Sequence, residues 1–140
     1  MASLPKSALQ VAVVTSAFSV IVWRVLQQPL SLSRGFGLLL ATAAFCLWIT
    51  ARIQLGDSFS VRARAKALVT RGVYSKIRNP IYVSGTLFLA GIVIALGHPE
   101  FLALELILIP MQIVRARREA RVLEEKFGAA YREYRRETWF

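Results

Sequence analysis

The 140-residue sequence has little of the chemistry that builds disulfide or metal sites. It contains one cysteine, Cys46, and one histidine, His98. A single cysteine excludes a disulfide framework, and a structural zinc site needs about four cysteine or histidine ligands together. Acidic residues are also scarce, with 8 aspartates and glutamates against 18 lysines and arginines. We therefore expect no metal centre, and the excess of positive charge needs another explanation.

Charge is also missing from four long apolar stretches. The chain is 56% hydrophobic and 19% charged, and the charged residues lie almost wholly outside these stretches. A helix needs about 20 apolar residues to cross a bilayer core, so each stretch must borrow flanking residues. The stretches lack the period-two alternation of strands. The pattern predicts an all-α integral membrane protein with a single domain, residues 1–140, and about four transmembrane helices. The predicted spans are residues 8–25, 35–53, 80–97 and 99–115.

The first span has a second interpretation. Lys6 followed by an apolar run is also the pattern of a cleaved signal peptide. The run is long for a signal sequence, and no small-x-small cleavage site follows Trp23 before Gln27-Gln28-Pro29. A retained membrane helix is the preferred interpretation.

Positive charge is concentrated in two segments of the chain. The net charge is +10, which raises the question of nucleic-acid binding. However, 7 basic residues lie between the second and third apolar runs and 8 follow the fourth. The positive-inside rule then makes the loop of residues 54–79 and the C-terminal tail cytoplasmic, and with four spans the N-terminus too. The charge is therefore interpreted as a topology signal with added attraction to membrane lipids, and we expect no nucleic-acid partner.

The tail carries an apolar stripe. Apolar residues recur three and four positions apart between Arg115 and Tyr134, which predicts an amphipathic helix over residues 116–137. Gly128 weakens a continuous helix by about 1 kcal/mol relative to alanine, so a kink or break can occur there. Two placements stay open. The helix lies on the membrane surface, or it folds back over the 54–79 loop so that both cover a pocket at the cytoplasmic interface.

One acidic residue lies inside an apolar run. An ionised carboxylate at the position of Glu105 costs about 2.5 kcal/mol or more in the bilayer unless it is paired or near the interface. A short hairpin can keep it near the outer surface, so a structural and a functional role stay equally open. His98, in the hairpin turn, is interpreted as a surface residue.

Two segments resemble a known family. "LGDSFSVRARAKALVTRGVYSKIRNPIYVSG", residues 55–85, is followed after a helical hairpin by "REARVLEEKFGAAYREY", residues 118–134. Together they resemble the membrane methyltransferases of the isoprenylcysteine carboxyl methyltransferase and phospholipid methyltransferase superfamily. The residues that match the first part of the family pattern are Leu68, Val69, Thr70, Gly72, Tyr74, Arg78, Pro80 and Tyr82. Those that match the second part are Glu119, Leu123, Phe127, Gly128, Tyr131 and Tyr134.

The resemblance implies that S-adenosylmethionine is held between the loop before the third span and the helix after the fourth. Arg78 can pair with a carboxylate, either the cofactor's own or that of Glu119. Glu119 can accept from ribose hydroxyls or from the amino group, and these two residues are also the candidate catalytic residues. Pro80 is expected to leave backbone groups of the preceding turn free for a ligand. The expected cofactor-binding residues are Tyr74, Arg78, Asn79, Pro80, Tyr82, Glu119, Leu123, Tyr131 and Tyr134.

The implied activity is S-adenosylmethionine-dependent methyl transfer to a lipophilic or membrane-partitioned acceptor, which is a lipid amine, thiol or carboxylate. Asn79 stands where the family most often has histidine, and the tail after Tyr134 differs from the family's Val-Pro-containing continuation. Because of these departures, the identity of the methyl acceptor is not inferred from the family. Two alternatives remain: a membrane reductase of the sterol and steroid type that uses a reduced nicotinamide cofactor, and a non-catalytic membrane protein of the same fold. The oligomeric state is also left open.

Overall fold

The computed structural model describes residues 6–55 and 68–140, and this part of the chain is helical apart from turns and one isolated bridge. Two short 3-10 turns, Gly72–Ser75 and Pro99–Leu104, precede the third and fourth α-helices. The α-helices are α1 (Lys6–Leu26), α2 (Leu32–Leu55), α3 (Pro80–Leu96), α4 (Glu105–Phe127) and α5 (Ala129–Glu137). The predicted all-α class is confirmed. Residues 56–67 of the predicted 54–79 loop lie outside the described residues.

The most extensive helix contact in the fold joins α2 and α3. A Cβ atom at Gly91 would lie 2.5 Å from the backbone nitrogen of Ala41, and one at Gly37 would overlap the backbone of Ala95. The two helices therefore touch backbone to backbone. Small residues allow this approach, which strengthens van der Waals packing where water does not drive the helices together. Gly37 and Gly91 thus serve a helix contact within the chain.

An aromatic cluster adds α1 to this pair. The ring of Phe18 lies with its centroid 4.8 Å from that of Phe45 on α2 and 5.1 Å from that of Phe88 on α3. Offset and edge-on ring pairs of this kind add about 0.5–1.5 kcal/mol each beyond the apolar area that they bury. The cluster is one side-chain contact through which α1 joins the bundle.

The outer surfaces of the helices are apolar. Within the described residues, two helical segments are long and apolar enough to cross a membrane, Ala8–Leu26 and Leu32–Leu55. The helix α3 is apolar but shorter, with 17 residues. Exposed apolar side chains also cover the first half of α4, including Leu106, Ile107 and Met111. A surface this apolar is suited to lipid and not to water.

The fourth helix differs from the prediction. The sequence divided this region into a span of residues 99–115 and a separate helix of residues 116–137, but α4 runs without a break from Glu105 to Phe127. The break lies at Gly128, where φ is 51° and ψ is −118°. Residues on either side of position 116 favour helix whether they are apolar or charged, so the change in polarity does not end the helix. The break expected at Gly128 is confirmed.

The α2–α3 contact can be tested with two glycines of α3. Gly91→Ala should destabilise the protein by about 1–3 kcal/mol, because the added methyl group meets the backbone of α2. Gly85→Ala, its matched control, has nothing within 4 Å of the new Cβ and should be neutral or stabilise the helix by up to about 1 kcal/mol. Denaturant unfolding in lipid nanodiscs measures the difference. Equal stability of the two variants would contradict the close contact.

Candidate functional site

A tyrosine holds the segment before α3 against α5. The hydroxyl of Tyr134 donates a hydrogen bond of 2.8 Å to the backbone carbonyl of Tyr74, and both residues are buried. The fully buried Tyr131 lies beside Tyr134, with 6.2 Å between the ring centroids. Burial raises the pKa of Tyr134 to about 12 and also raises the pKa values of Tyr74 and Tyr131. The three phenols are therefore neutral at physiological pH and form a packed contact between the loop and α5.

A second contact joins α3 to α4. The hydroxyl of Tyr82 donates to Oε1 of Glu119 at 2.6 Å, the short distance typical of a hydrogen bond to a carboxylate. Both side chains are half-buried. From the sequence we expected Arg78 to pair with a carboxylate, either that of Glu119 or the cofactor's own. Across the described ranges, no ion pair joins Arg78 to Glu119, and the phenol of Tyr82 takes that place.

The Asn79-Pro80 step begins α3. Pro80 is buried at the first helical position, and the backbone carbonyl of Asn79 accepts from the N–H groups of Tyr82 and Val83 at 3.1 and 3.2 Å. The side chain of Asn79 makes no capping hydrogen bond. Arg78 is half-buried. Burial raises the pKa of Tyr131, and the positive charge of Arg78 partly opposes this rise, as expected for a cation close to that phenol. The amide of Asn79 and the guanidinium of Arg78 thus flank the start of α3.

The chain beyond α5 returns to this loop. The N–H of Trp139 donates to the carbonyl of Lys76 at 2.7 Å, and the N–H of Arg78 donates to the carbonyl of Trp139 at 2.9 Å. These bonds form a parallel bridge between Ile77 and Trp139. The expectation that the turn before Pro80 leaves its backbone groups free is therefore wrong for two of them. Sequence reasoning missed this bridge, and its only signal was the departure of the tail from the family pattern.

The end of α2 supplies another contact that sequence reasoning missed. The side-chain carbonyl of Gln54 accepts from the N–H of Val73 at 2.8 Å. Gly72, next to it, has a φ of 62°, and a Cβ there would overlap the side chain of Gln54. Glycine is therefore favoured at position 72 for its conformation, and a side chain there would also displace the amide of Gln54. A polar residue at the end of an apolar helix was the available signal.

These contacts place the predicted cofactor-binding residues at one end of the bundle. They link Tyr74 with Tyr134 and Tyr82 with Glu119, and Leu123 lies one turn beyond Glu119 on α4. Whether these residues bind a cofactor stays a prediction. Glu105 lies elsewhere, because 14 residues of helix separate it from Glu119 by about 21 Å.

Glu105 and His98 both belong to the far end of the bundle. Glu105 is 8% exposed, and in the part of the chain that the structure describes neither of its carboxylate oxygens has a hydrogen-bond partner. His98 is exposed and pairs with Glu100 through Nδ1 at 2.9 Å. Its interpretation as a surface residue is confirmed.

Comparison with known proteins identifies the family. A family model described as phospholipid methyltransferase matches residues 31–130. The chain belongs to the phospholipid methyltransferase family. The resemblance found in the sequence is thus confirmed, and family membership supports a membrane methyltransferase. The match runs from the residue before α2 into the start of α5, so it includes Tyr82 and Glu119 but ends before Tyr131. No curated protein and no solved structure matches the chain.

The Tyr82–Glu119 hydrogen bond can be tested with a double-mutant cycle. A hydrogen bond to a charged group contributes about 1.5–3 kcal/mol, so Tyr82→Phe and Glu119→Gln should be coupled by about 1 kcal/mol or more in the free energy of unfolding. The matched cycle pairs Tyr82→Phe with Glu125→Gln, an exposed residue of the same helix, and should give a coupling within about 0.5 kcal/mol of zero. Similar couplings in the two cycles would contradict the contact.

Proposed function

We propose that the protein transfers a methyl group from S-adenosylmethionine to a lipophilic acceptor that reaches the site from the membrane. The observation that carries the proposal is the carboxylate of Glu119, hydrogen-bonded to Tyr82, at the same end of the bundle as the guanidinium of Arg78. In a chain of the phospholipid methyltransferase family, these two charges are complementary to the ammonium and carboxylate groups of the cofactor.

The residues at this end of the bundle fit the chemistry of the cofactor. S-adenosylmethionine combines a carboxylate, an ammonium group, ribose hydroxyls and adenine. Arg78 offers a planar set of donors to the carboxylate, and Glu119 accepts from the ammonium group or the ribose. The amide of Asn79 both donates and accepts, which suits adenine or a hydroxyl. No imidazole is needed for any of these roles, so asparagine at position 79 is compatible with binding.

When bound, S-adenosylmethionine supplies an electrophilic methyl group on a sulfonium. The protein's contribution is to align that group with the acceptor and to exclude water. A thiolate or carboxylate acceptor needs no base, because it is already deprotonated and its electron pair can form the new bond to the methyl group as the carbon–sulfur bond of the sulfonium breaks. An amine acceptor must be neutral, and Glu119 or Glu124 can take its proton; for Glu119 this uses the oxygen that now accepts from Tyr82.

The proposal includes a membrane topology. We assign spans to α1, α2, α3 and the apolar first half of α4, with the basic ends of the helices on the cytoplasmic side. With 17 residues, α3 is about 26 Å long, shorter than the hydrocarbon core of about 30 Å. A helix this short is accommodated by local thinning of the bilayer, which brings lipid head groups closer to the site at the start of α3. An acceptor with an apolar tail then enters sideways between helices.

Cofactor binding tests the proposal. Purified protein in nanodiscs should bind S-adenosylhomocysteine, the product that remains after methyl transfer. Glu119→Ala and Arg78→Ala should each weaken binding by roughly tenfold or more, since each removes a charge-assisted hydrogen bond. Glu125→Ala, exposed on α4, is the matched control and should bind as the wild type does.

The same titration with reduced nicotinamide adenine dinucleotide phosphate separates the alternatives. A methyltransferase should not bind it, whereas a reductase of the sterol type should. Folded wild-type protein that fails to bind S-adenosylhomocysteine would overturn the proposed function, and binding of neither compound would support a non-catalytic protein.

A further inference from the structure

Among the residues that the structure describes, three sets of hydrogen bonds attach the segment before α3 to the rest of the protein. Gln54 of α2 holds Val73, Tyr134 of α5 holds the carbonyl of Tyr74, and the backbone of Trp139 holds residues on both sides of Ile77. The first two contacts lie upstream of Arg78. The bridge at Trp139 is the contact that reaches the backbone of Arg78 itself.

The bridge fixes Arg78 from its N-terminal side. Within the loop, the N–H groups of Lys76 and Ile77 both bond to the carbonyl of Val73, which closes a local turn but does not join that turn to another helix. Downstream, Pro80 and the carbonyl of Asn79 attach the chain to α3. Arg78 lies between this local turn and the start of α3. The hydrogen bond from its N–H to the carbonyl of Trp139 therefore limits the direction in which its side chain leaves the backbone.

The indole of Trp139 contributes little to the bridge. The residue is 80% exposed, whereas its neighbour Thr138 is buried and bonds through Oγ1 to the carbonyl of Tyr134 at 2.8 Å. Thr138 therefore attaches the tail to the end of α5, and the peptide groups of Trp139 carry the pairing. Position 139 must supply a carbonyl, which accepts from Arg78, and an N–H, which donates to Lys76; every residue has the carbonyl, and proline alone lacks the N–H.

We propose that the backbone of Trp139 is a positioning element for the cofactor site and acts through Arg78. It holds the loop so that the guanidinium is presented in one direction, towards the carboxylate of an amino-acid-bearing ligand. This inference rests on the proposed function and deepens it by assigning a role to a segment outside the family match. The affinity for the cofactor then depends on a hydrogen bond that no side chain of the site makes.

Two substitutions at position 139 separate the backbone from the side chain. Trp139→Pro removes the donor to Lys76, and the extended Thr138 (φ −117°, ψ 149°) already has the conformation that a following proline prefers. Trp139→Ala, the matched control, keeps the donor and removes the indole. We expect Trp139→Pro to weaken S-adenosylhomocysteine binding about fivefold to tenfold, the effect of one lost hydrogen bond, and Trp139→Ala to change it less than about twofold.

The full-length variants are compared in nanodiscs, with circular dichroism to show that the helices are retained. Trypsin cleavage after Lys76 and Arg78, located by mass spectrometry, gives a readout of the loop that does not involve the cofactor. It should accelerate in Trp139→Pro and not in Trp139→Ala. In an Arg78→Ala background, Trp139→Pro should have little further effect on binding.

Each result has a distinct meaning. Equal cleavage and equal affinity in the proline and alanine variants would overturn the positioning role. An undiminished effect of Trp139→Pro in the Arg78→Ala background would also overturn it, because a merely structural role weakens binding in both backgrounds. If the wild type binds no S-adenosylhomocysteine, the proposed function fails and the role assigned to Trp139 in binding fails with it. The cleavage result then still decides whether the bridge holds the loop.

Discussion

The backbone contact between α2 and α3 determines where the C-terminal end of α2 lies relative to the N-terminal end of α3, the end of the bundle that carries the candidate site. Because neither Gly37 nor Gly91 has room for a Cβ, the two helices have one relative placement that any larger side chain would disrupt. That placement brings the end of α2, at Gln54, close to the segment that leads into Pro80 at the start of α3. The hydrogen bond between Gln54 and Val73 follows from this arrangement.

The candidate site combines groups from separate parts of the chain. Tyr82 lies in the first turn of α3, and its partner Glu119 lies on α4. Tyr134 of α5 donates a hydrogen bond to the loop before α3. The buried tyrosines act here as structural contacts, and the charged and amide groups of Arg78, Asn79 and Glu119 are the ones suited to a polar ligand. A membrane protein can tolerate such groups at the interface, where water and lipid head groups offset the cost of desolvation.

The sequence predicts those features that depend on local chemistry. Apolar runs indicate the first three helices, Pro80 starts α3, and Gly128 breaks the tail helix, because each acts on its own backbone. The partner of Glu119 was not predictable, since a phenol and a guanidinium both suit a carboxylate and only tertiary packing selects between them. The bridge at Trp139 left even less signal, because backbone pairing has no side-chain signature.

The central claim is that this end of the bundle supports methyl transfer to a membrane lipid or another lipophilic acceptor. The most direct measurement is the transfer of label from methyl-labelled S-adenosylmethionine to the organic extract of proteoliposomes that contain the protein and a total lipid extract. We expect label in a lipophilic product with the wild type, and roughly tenfold less label, or lower still, with Glu119→Gln. Absence of labelled product, or equal labelling by the two proteins, would contradict it.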